Sequence, residues 1–435
     1  MKRFLAVALV LVLAVTCFAA DYYPKYNGKP VTITMWAWTS NENYSIEEFE
    51  KVYPNIKVKW ENFDVHYEKA QTALSAGSGL PDVLMVEYSF APQFMELGAF
   101  QPINKWLDEK TFIKLYGEAA LGWCAADGQI YGTPQDSGAL TMFYRKDLFD
   151  KYGLTVPKTM DEFIAQAKKF KQVAPANLKF YAAPIGNVQW WIAQVWKAGG
   201  KLFDYHDGKW YIHFTNPVAT KVFETLGKCF DEGIFDLEMW WNADWFNSLN
   251  QGTTAVVENG AWFAEWLKLN APESEGKWRV AIPAQWDPAK PTNAMLGGSG
   301  FYVTSHSKNP EAAALFVNWL NSHPTSLKCL HKYSNLPVMV STRYEEVLDE
   351  VSGSDAFFGG QNIVESLWEA HHLVNTTFVT LPITSNMEES LSLLIQQYVD
   401  GKIKRFADIL PLWEKEVIKT MKEFGYTNLV TGKLP

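Results

Sequence analysis

The chain has 435 residues and a formal charge of −9, and 15% of its side chains are aromatic, 19 of them tryptophan. That length favours two or more lobes over one core. An acidic chain without a basic block argues against nucleic acid as a partner, and it disfavours anionic ligands wherever no local site overrides the average.

Residues 1–20, MKRFLAVALVLVLAVTCFAA, begin with Lys2 and Arg3, continue as an apolar stretch from Phe4 to Val15 and end in small residues. This is the pattern of a secretory signal, with cleavage after Ala19 or Ala20. Cys17 would carry lipid in a bacterial lipoprotein, but the Ala-Val-Thr before it is a poor lipidation motif, so cleavage is preferred. No later segment has the roughly 20 apolar residues of a spanning helix.

The mature chain reads as alternating strands and helices. VTITMW (31–36) is an expected strand. Ser45 and Glu48 offer a capping box for a helix with Ile46, Phe49 and Val52 on its apolar face, stopped by Pro54. IKVKW (56–60) is a second strand, Asp64 a helix cap with Gly77 and Gly79 at the helix end, and DVLMV (82–86) a third, continuously apolar strand. Such alternation predicts an α/β protein with parallel strand pairing and both sheet faces covered. Further on, TPQDSGAL precedes a helix opened by Thr159. Asn216-Pro217 and Asn309-Pro310 each set a capping residue before a proline at the first helical position. The last third is mostly helical, including MEESLSLLIQQYV and ILPLWEKEVIKTMKEF. Cys124, Cys229 and Cys329 allow one bridge at most, and no Cys/His spacing suggests a metal.

Five segments in order resemble the family 1 solute-binding proteins of bacterial ABC importers, the group of maltose- and trehalose-binding proteins. They are FEKVYPNIKVKW (49–60), the run from Gln71 to Leu107, the segment around TPQDSGAL, VVENGAWFAEW (256–266), and WRVAIPAQW leading to LGGSGFYVTSHSKNPEAAALFVNWL. The resemblance implies a two-lobed periplasmic binding fold of type II, with hinge strands between the lobes and ligand in the cleft. The chain would cross near Thr133–Leu140, Met295–Ser299 and Leu336–Ser341. Lobe one would comprise 21–135 plus 297–337, and lobe two 136–296 plus 338–435. It implies a periplasmic or extracellular receptor that captures a carbohydrate, a di- or oligosaccharide given the many tryptophans, and delivers it to permease subunits in the inner membrane. The protein would act as a monomer, with no cofactor and no chemistry on its ligand.

The site is expected among clustered aromatics. An indole offers a sugar ring's C–H face a large flat apolar partner, with one donor at its edge. Candidates are Trp36 and Trp38, Trp190 and Trp191, Trp241 and Trp245, Trp262, and Trp368. Adjacent tryptophans point in different directions, so one of Trp190-Trp191 and one of Trp240-Trp241 should face a cleft, another element or solvent. Glu87 ends the strand DVLMV, and ligands of open α/β sheets sit outside such carboxyl ends; the family has an acidic hydroxyl acceptor here. Tyr88 follows it, and Asp136 lies in the crossing segment. Gly298 and Ser299 open a strand where glycine permits close backbone approach, although many relatives carry an aromatic where this chain has Ser299. Relatives have a longer first helix before the FEKVYP segment, whereas here only Thr39–Ser45 precedes the cap, so the loop at Asn41–Tyr44 is expected to reach the cleft differently.

Two other classes compete. A Trp-rich cleft with carboxylates also suits a secreted glycoside hydrolase, which needs two carboxyl groups about 5–5.5 or 6.5–9.5 Å apart. The same fold could bind a polyamine, a peptide or a phosphorylated polyol. QWWIAQVW carries no charge and MWWNADWF only Asp244, so neither an amine nor a phosphate pattern stands out.

Overall fold

A computed structural model describes residues 22–39, 42–63, 67–334, 339–377 and 379–435. The expected signal, Cys17, Asn41 and the cap at Asp64 lie outside them.

Two five-stranded sheets organise the chain. The first contains β1 (Val31–Ala37), β2 (Ile56–Asn62), β3 (Val83–Glu87), β4 (Gly132–Pro134) and β10 (Ser299–Val303), ordered β2-β1-β3-β10-β4. β1 runs parallel to β2 and β3, while β10 is antiparallel to β3 and β4. The second contains β5 (Leu140–Arg145), β6 (Lys179–Pro184), β7 (Asp236–Glu238), β8 (Thr254–Gly260) and β9 (Trp278–Ala281), ordered β7-β6-β8-β5-β9. Central strands β5 and β8 are buried along their whole length, as helices on both faces require, whereas edge strand β2 alternates.

The helices follow the local signals with two departures. Met160–Val173 has the full capping box of Thr159 and Glu162, and Asn216 accepts from the backbone of Val218 and Ala219 to open Pro217–Asp231. Pro310–Ser322 begins at its proline, although Asn309 makes no side-chain cap. The first helix instead spans Glu42–Val52, starting before the predicted cap. Ser45 is buried inside it and donates to the carbonyl of Ser326 at 3.4 Å, while Val52 faces outward. Tertiary packing has overridden a weak local cap here. Cys124, Cys229 and Cys329 are all free, and no helix among the described residues is long and apolar enough to cross a membrane.

Three segments run side by side between the sheets. Residues 135–139 lead from β4 to β5, and residues 294–298 lead into β10. Leu140 N donates to Ala294 O at 2.9 Å and Leu296 N to Gly138 O at 2.7 Å. Val340 N donates to Gln135 O at 2.9 Å, and Asp136 pairs with Met339, which lays the third segment alongside.

Candidate functional site

A cavity of ≈ 260 Å³ opens beside these crossing segments. Its walls carry Glu87 from the end of β3, Trp240 and Trp241 just after β7, Trp262 after β8, Asn187 and Gln189 at the start of the helix Val188–Lys197, and Glu388 in the first turn of Met387–Val399. Trp241 stacks on Trp262 at 5.8 Å between ring centroids and 25° between planes, and it keeps 39% of its surface exposed. Trp262 is fixed from behind, its indole Nε1 donating to Leu296 O at 2.7 Å. Gly260 and Gly297 make room for that ring, since a Cβ on either would stand 2.3 or 3.1 Å from Nε1.

Two of the five non-glycine residues with positive φ among the described residues lie here. Asn187 and Trp241 both line the cavity with positive φ, 70° and 66°. For a bulky residue such as Trp241 this conformation is costly and persists only where surrounding structure imposes it. Trp241 is packed against Trp245, Phe246, Trp262, Phe263 and Trp266.

Electrostatically the cavity is acidic. Glu87 and Glu388 line it, and no lysine or arginine does. Burial pushes the Glu87 carboxyl up to about 7, with Asp136 and Glu388 as like-charged neighbours adding to the rise. Its backbone N–H donates to the Tyr67 hydroxyl at 2.9 Å. Glu42 is also buried and likewise pushed to about 7.

Gln189 ties the two sides together. Its Nε2 donates to Ser89 Oγ at 3.2 Å and its Oε1 accepts from Gly297 N at 3.2 Å. Beyond it a narrower cavity of ≈ 50 Å³ is walled by Tyr88, which stacks on Trp123 at 4.9 Å.

Of the residues expected from sequence, Glu87, Trp241 and Trp262 meet at the central cavity and Tyr88 lines the narrow one. Asp136, Gly298 and Ser299 line neither. Asp136 instead accepts from both the backbone N and the hydroxyl of Ser299 at 2.8 Å, locking two crossing segments together. Gly298 has φ 96°, and a Cβ there would stand 2.7 Å from the Tyr88 ring.

Three of the expected tryptophans are enclosed and line neither cavity. Trp190 and Trp191 have no exposed surface, and Trp245 has 1%. Trp190 Nε1 donates to Glu258 O at 3.2 Å and Trp191 Nε1 to Pro184 O at 2.9 Å. Their helix lies between the second sheet and other helices, so its opposite faces are both core and adjacent tryptophans both bury. Trp245 stacks under Trp240 at 5.1 Å. Trp36 also lines neither cavity: it stacks on Phe63 at 5.4 Å under the Lys69 ammonium, with its Nε1 donating to Glu61 at 3.0 Å. Trp38 packs edge-on to Tyr67, and Trp368 stacks on His371 at 5.2 Å; neither lines a cavity described here.

Sequence reasoning missed Asn187, Gln189 and Glu388, whereas Trp240 and Gly297 belong to the tryptophan pair and the glycine segment it singled out. Asn187 and Glu388 carried a readable signal as polar residues at helix starts. Nothing local marks them as facing one cavity.

Comparison with known proteins follows the same lines. Residues 37–325 match the family described as Bacterial extracellular solute-binding protein. The lactose-binding protein of Rhizobium radiobacter is 26% identical over 374 residues, covering 81% of this chain and 85% of that protein. The arabinooligosaccharide-binding protein of Halalkalibacterium halodurans is 24% identical, covering 72% and 71%. Among solved structures, the ABC transporter associated binding protein of B. animalis subsp. lactis Bl-04 in complex with beta-1,6-galactobiose superposes with a TM-score of 0.75 at 26% identity, over 93% of this chain and all of that one. The galacto-N-biose-/lacto-N-biose I-binding protein of Bifidobacterium longum has the same two-lobed fold, with a TM-score of 0.76 at 23% identity over 92% and 100%.

Proposed function

The chain belongs to the bacterial extracellular solute-binding protein family, and from that premise we propose that it captures a di- or oligosaccharide for an ABC importer. One observation carries the reading: the Trp241–Trp262 stack, a flat apolar platform, lies in the same cavity as Glu87 at the carboxyl end of β3. The indoles take the C–H face of a sugar ring, and Glu87, Glu388, Asn187 and Gln189 pair with its hydroxyl rim. Similarity to lactose- and arabinooligosaccharide-binding proteins supports the ligand class.

The protein performs no chemistry on the ligand in this reading. Residues 341–351, expected in lobe two, pack on lobe one, with Ser341 and Thr342 donating to Leu115 O and Arg343 to the Tyr23 hydroxyl. The two lobes close about the crossing segments. Sugar favours the closed form because it touches both sides there, since equal affinity for both forms would shift nothing. The closed complex, exported and acting as a monomer, then docks on the inner-membrane permease.

A thermal-shift screen of the mature chain against sugars, polyamines and phosphorylated polyols tests this. Ligand at 100 times its Kd stabilises the folded state by about 2.7 kcal/mol. A response to saccharides is expected; silence from all of them overturns the reading. The second reading, a polyamine, is favoured by the two carboxylates facing aromatic rings with no basic residue in the lining. Stabilisation by spermidine and by no sugar would establish it.

A further inference from the structure

A third cavity, of ≈ 560 Å³, lies at the far side of the narrow one. Neighbouring cavities share walls: Gln189 and Gly297 line both the central and the narrow cavity, and Thr380 lines both the narrow and the outer one. The outer cavity is built by parts of the chain remote from the site already described. Tyr205 and Trp210 come from a hairpin of strands Phe203–His206 and Lys209–Ile212, with their rings 4.9 Å apart. Tyr426 comes from the loop before the last strand, Leu429–Thr431, which pairs with the hairpin, and Trp210 N donates to Asn428 O at 3.0 Å. Tyr131 lines the opposite side, beside the first sheet. The Tyr426 hydroxyl donates to Glu96 on the helix Ala91–Glu96, so the two sides of the mouth already touch.

The chemistry of this lining is that of the central cavity. Flat amphipathic rings meet acceptors and small donors, here Glu96, Asp127, Thr427 and Asn428, and no lysine or arginine lines the wall. A phosphorylated or carboxylated ligand would find no counter-charge there, whereas a neutral polyol finds both a stacking surface and hydroxyl partners. We propose that the outer cavity is a second saccharide subsite, so that the cleft holds an oligosaccharide longer than a disaccharide. One end stacks on Trp241 and Trp262 and the other lies against Tyr205 and Trp210. The proposal rests on the sugar-binding reading above. The ligand's middle would pass Gln189 and Ser89, which line the narrow cavity and bond each other.

The test is calorimetric titration of the mature protein with β-linked galactooligosaccharides and arabinooligosaccharides of increasing length from the disaccharide, comparing wild type with Tyr205→Ala and Trp210→Leu. Tyr205 is 49% exposed, so its removal leaves the fold intact even if the Trp210 variant fails to fold. Wild-type affinity should rise with length. The variants should bind the longer sugars at least about tenfold more weakly, which is ~1.4 kcal/mol, and the disaccharide as before. Wild-type affinity that does not rise with length, or variants that bind every length like wild type, or that weaken all lengths equally, would overturn the subsite while leaving the receptor role intact. A wild-type protein that binds no saccharide of any length would overturn the receptor role, and the subsite with it.

Discussion

Replacing Glu87 with glutamine separates the structural cost of this carboxylate from its use in binding. Glu87 titrates near 7 in the folded protein against an ordinary value of 4.5, a gap worth about 3 kcal/mol at ~1.36 kcal/mol per unit. That figure is an upper bound, because the side chain keeps a face onto the cavity. The sign follows from proton counting. Between pH 4.5 and 7 the folded chain holds a proton that the unfolded chain has released, so stability falls as pH rises through this window. Glutamine cannot ionise and escapes that fall. Urea unfolding followed by tryptophan fluorescence should therefore give Glu87→Gln and wild type similar stability near pH 4. The variant should gain steadily above that and level off at up to about 3 kcal/mol more stable beyond pH 7. Glu42, raised in the same direction, is common to both proteins and cancels. Binding should move the other way. Loss of a charge-assisted hydrogen bond of about 1.5–3 kcal/mol weakens sugar by about 10- to 150-fold in calorimetry at pH 7.5. A stability difference that is flat from pH 4.5 to 8, or unchanged sugar affinity, would refute the assignment of Glu87 as a buried, ligand-facing carboxylate.

Other substitutions sort platform from core. Trp241→Ala should weaken sugar binding by about tenfold or more with little change in melting temperature, whereas Trp190→Ala should cost about 3–5 kcal/mol in urea unfolding. Equal destabilisation by both would show that Trp241 is structural. Lys197 and Glu258 form a buried pair at 2.8 Å, 1% and 4% exposed. Lys197→Met alone should cost about 3–5 kcal/mol by stranding a buried charge, and Lys197→Met with Glu258→Leu should recover most of it; a double variant no better than the single would argue against the pairing. Gly298→Ala meets both a φ of 96° and the Tyr88 ring, and a loss of about 1–3 kcal/mol is expected; a neutral result in the same unfolding assay would mean the crossing segment shifts freely.

Much of the fold was legible because its signals are local. The continuous apolar run before Glu87 names a buried parallel strand, and Thr159 with Glu162 names a helix start, since each effect acts within a few residues. The same holds for Gly298, whose positive φ only glycine adopts cheaply. Glu87 could be picked out because the end of a parallel strand is where a ligand can reach. The tryptophans could not be sorted. Trp190 and Trp241 look alike in sequence, each beside a second tryptophan, yet the first is wholly enclosed and the second is 39% exposed onto the cavity. What separates them is the layer of helices over Val188–Lys197 and the stacking of Trp241 on Trp262, contacts made between distant parts of the chain. For the same reason Glu388 was missed: it reaches the wall beside Glu87 from some 300 residues away in sequence. Sequence by itself determined the elements and the kind of chemistry, because backbone propensity and side-chain type are properties of residues. Only tertiary structure decided which rings and carboxylates face one space, because convergence is set by packing between segments the chain does not join.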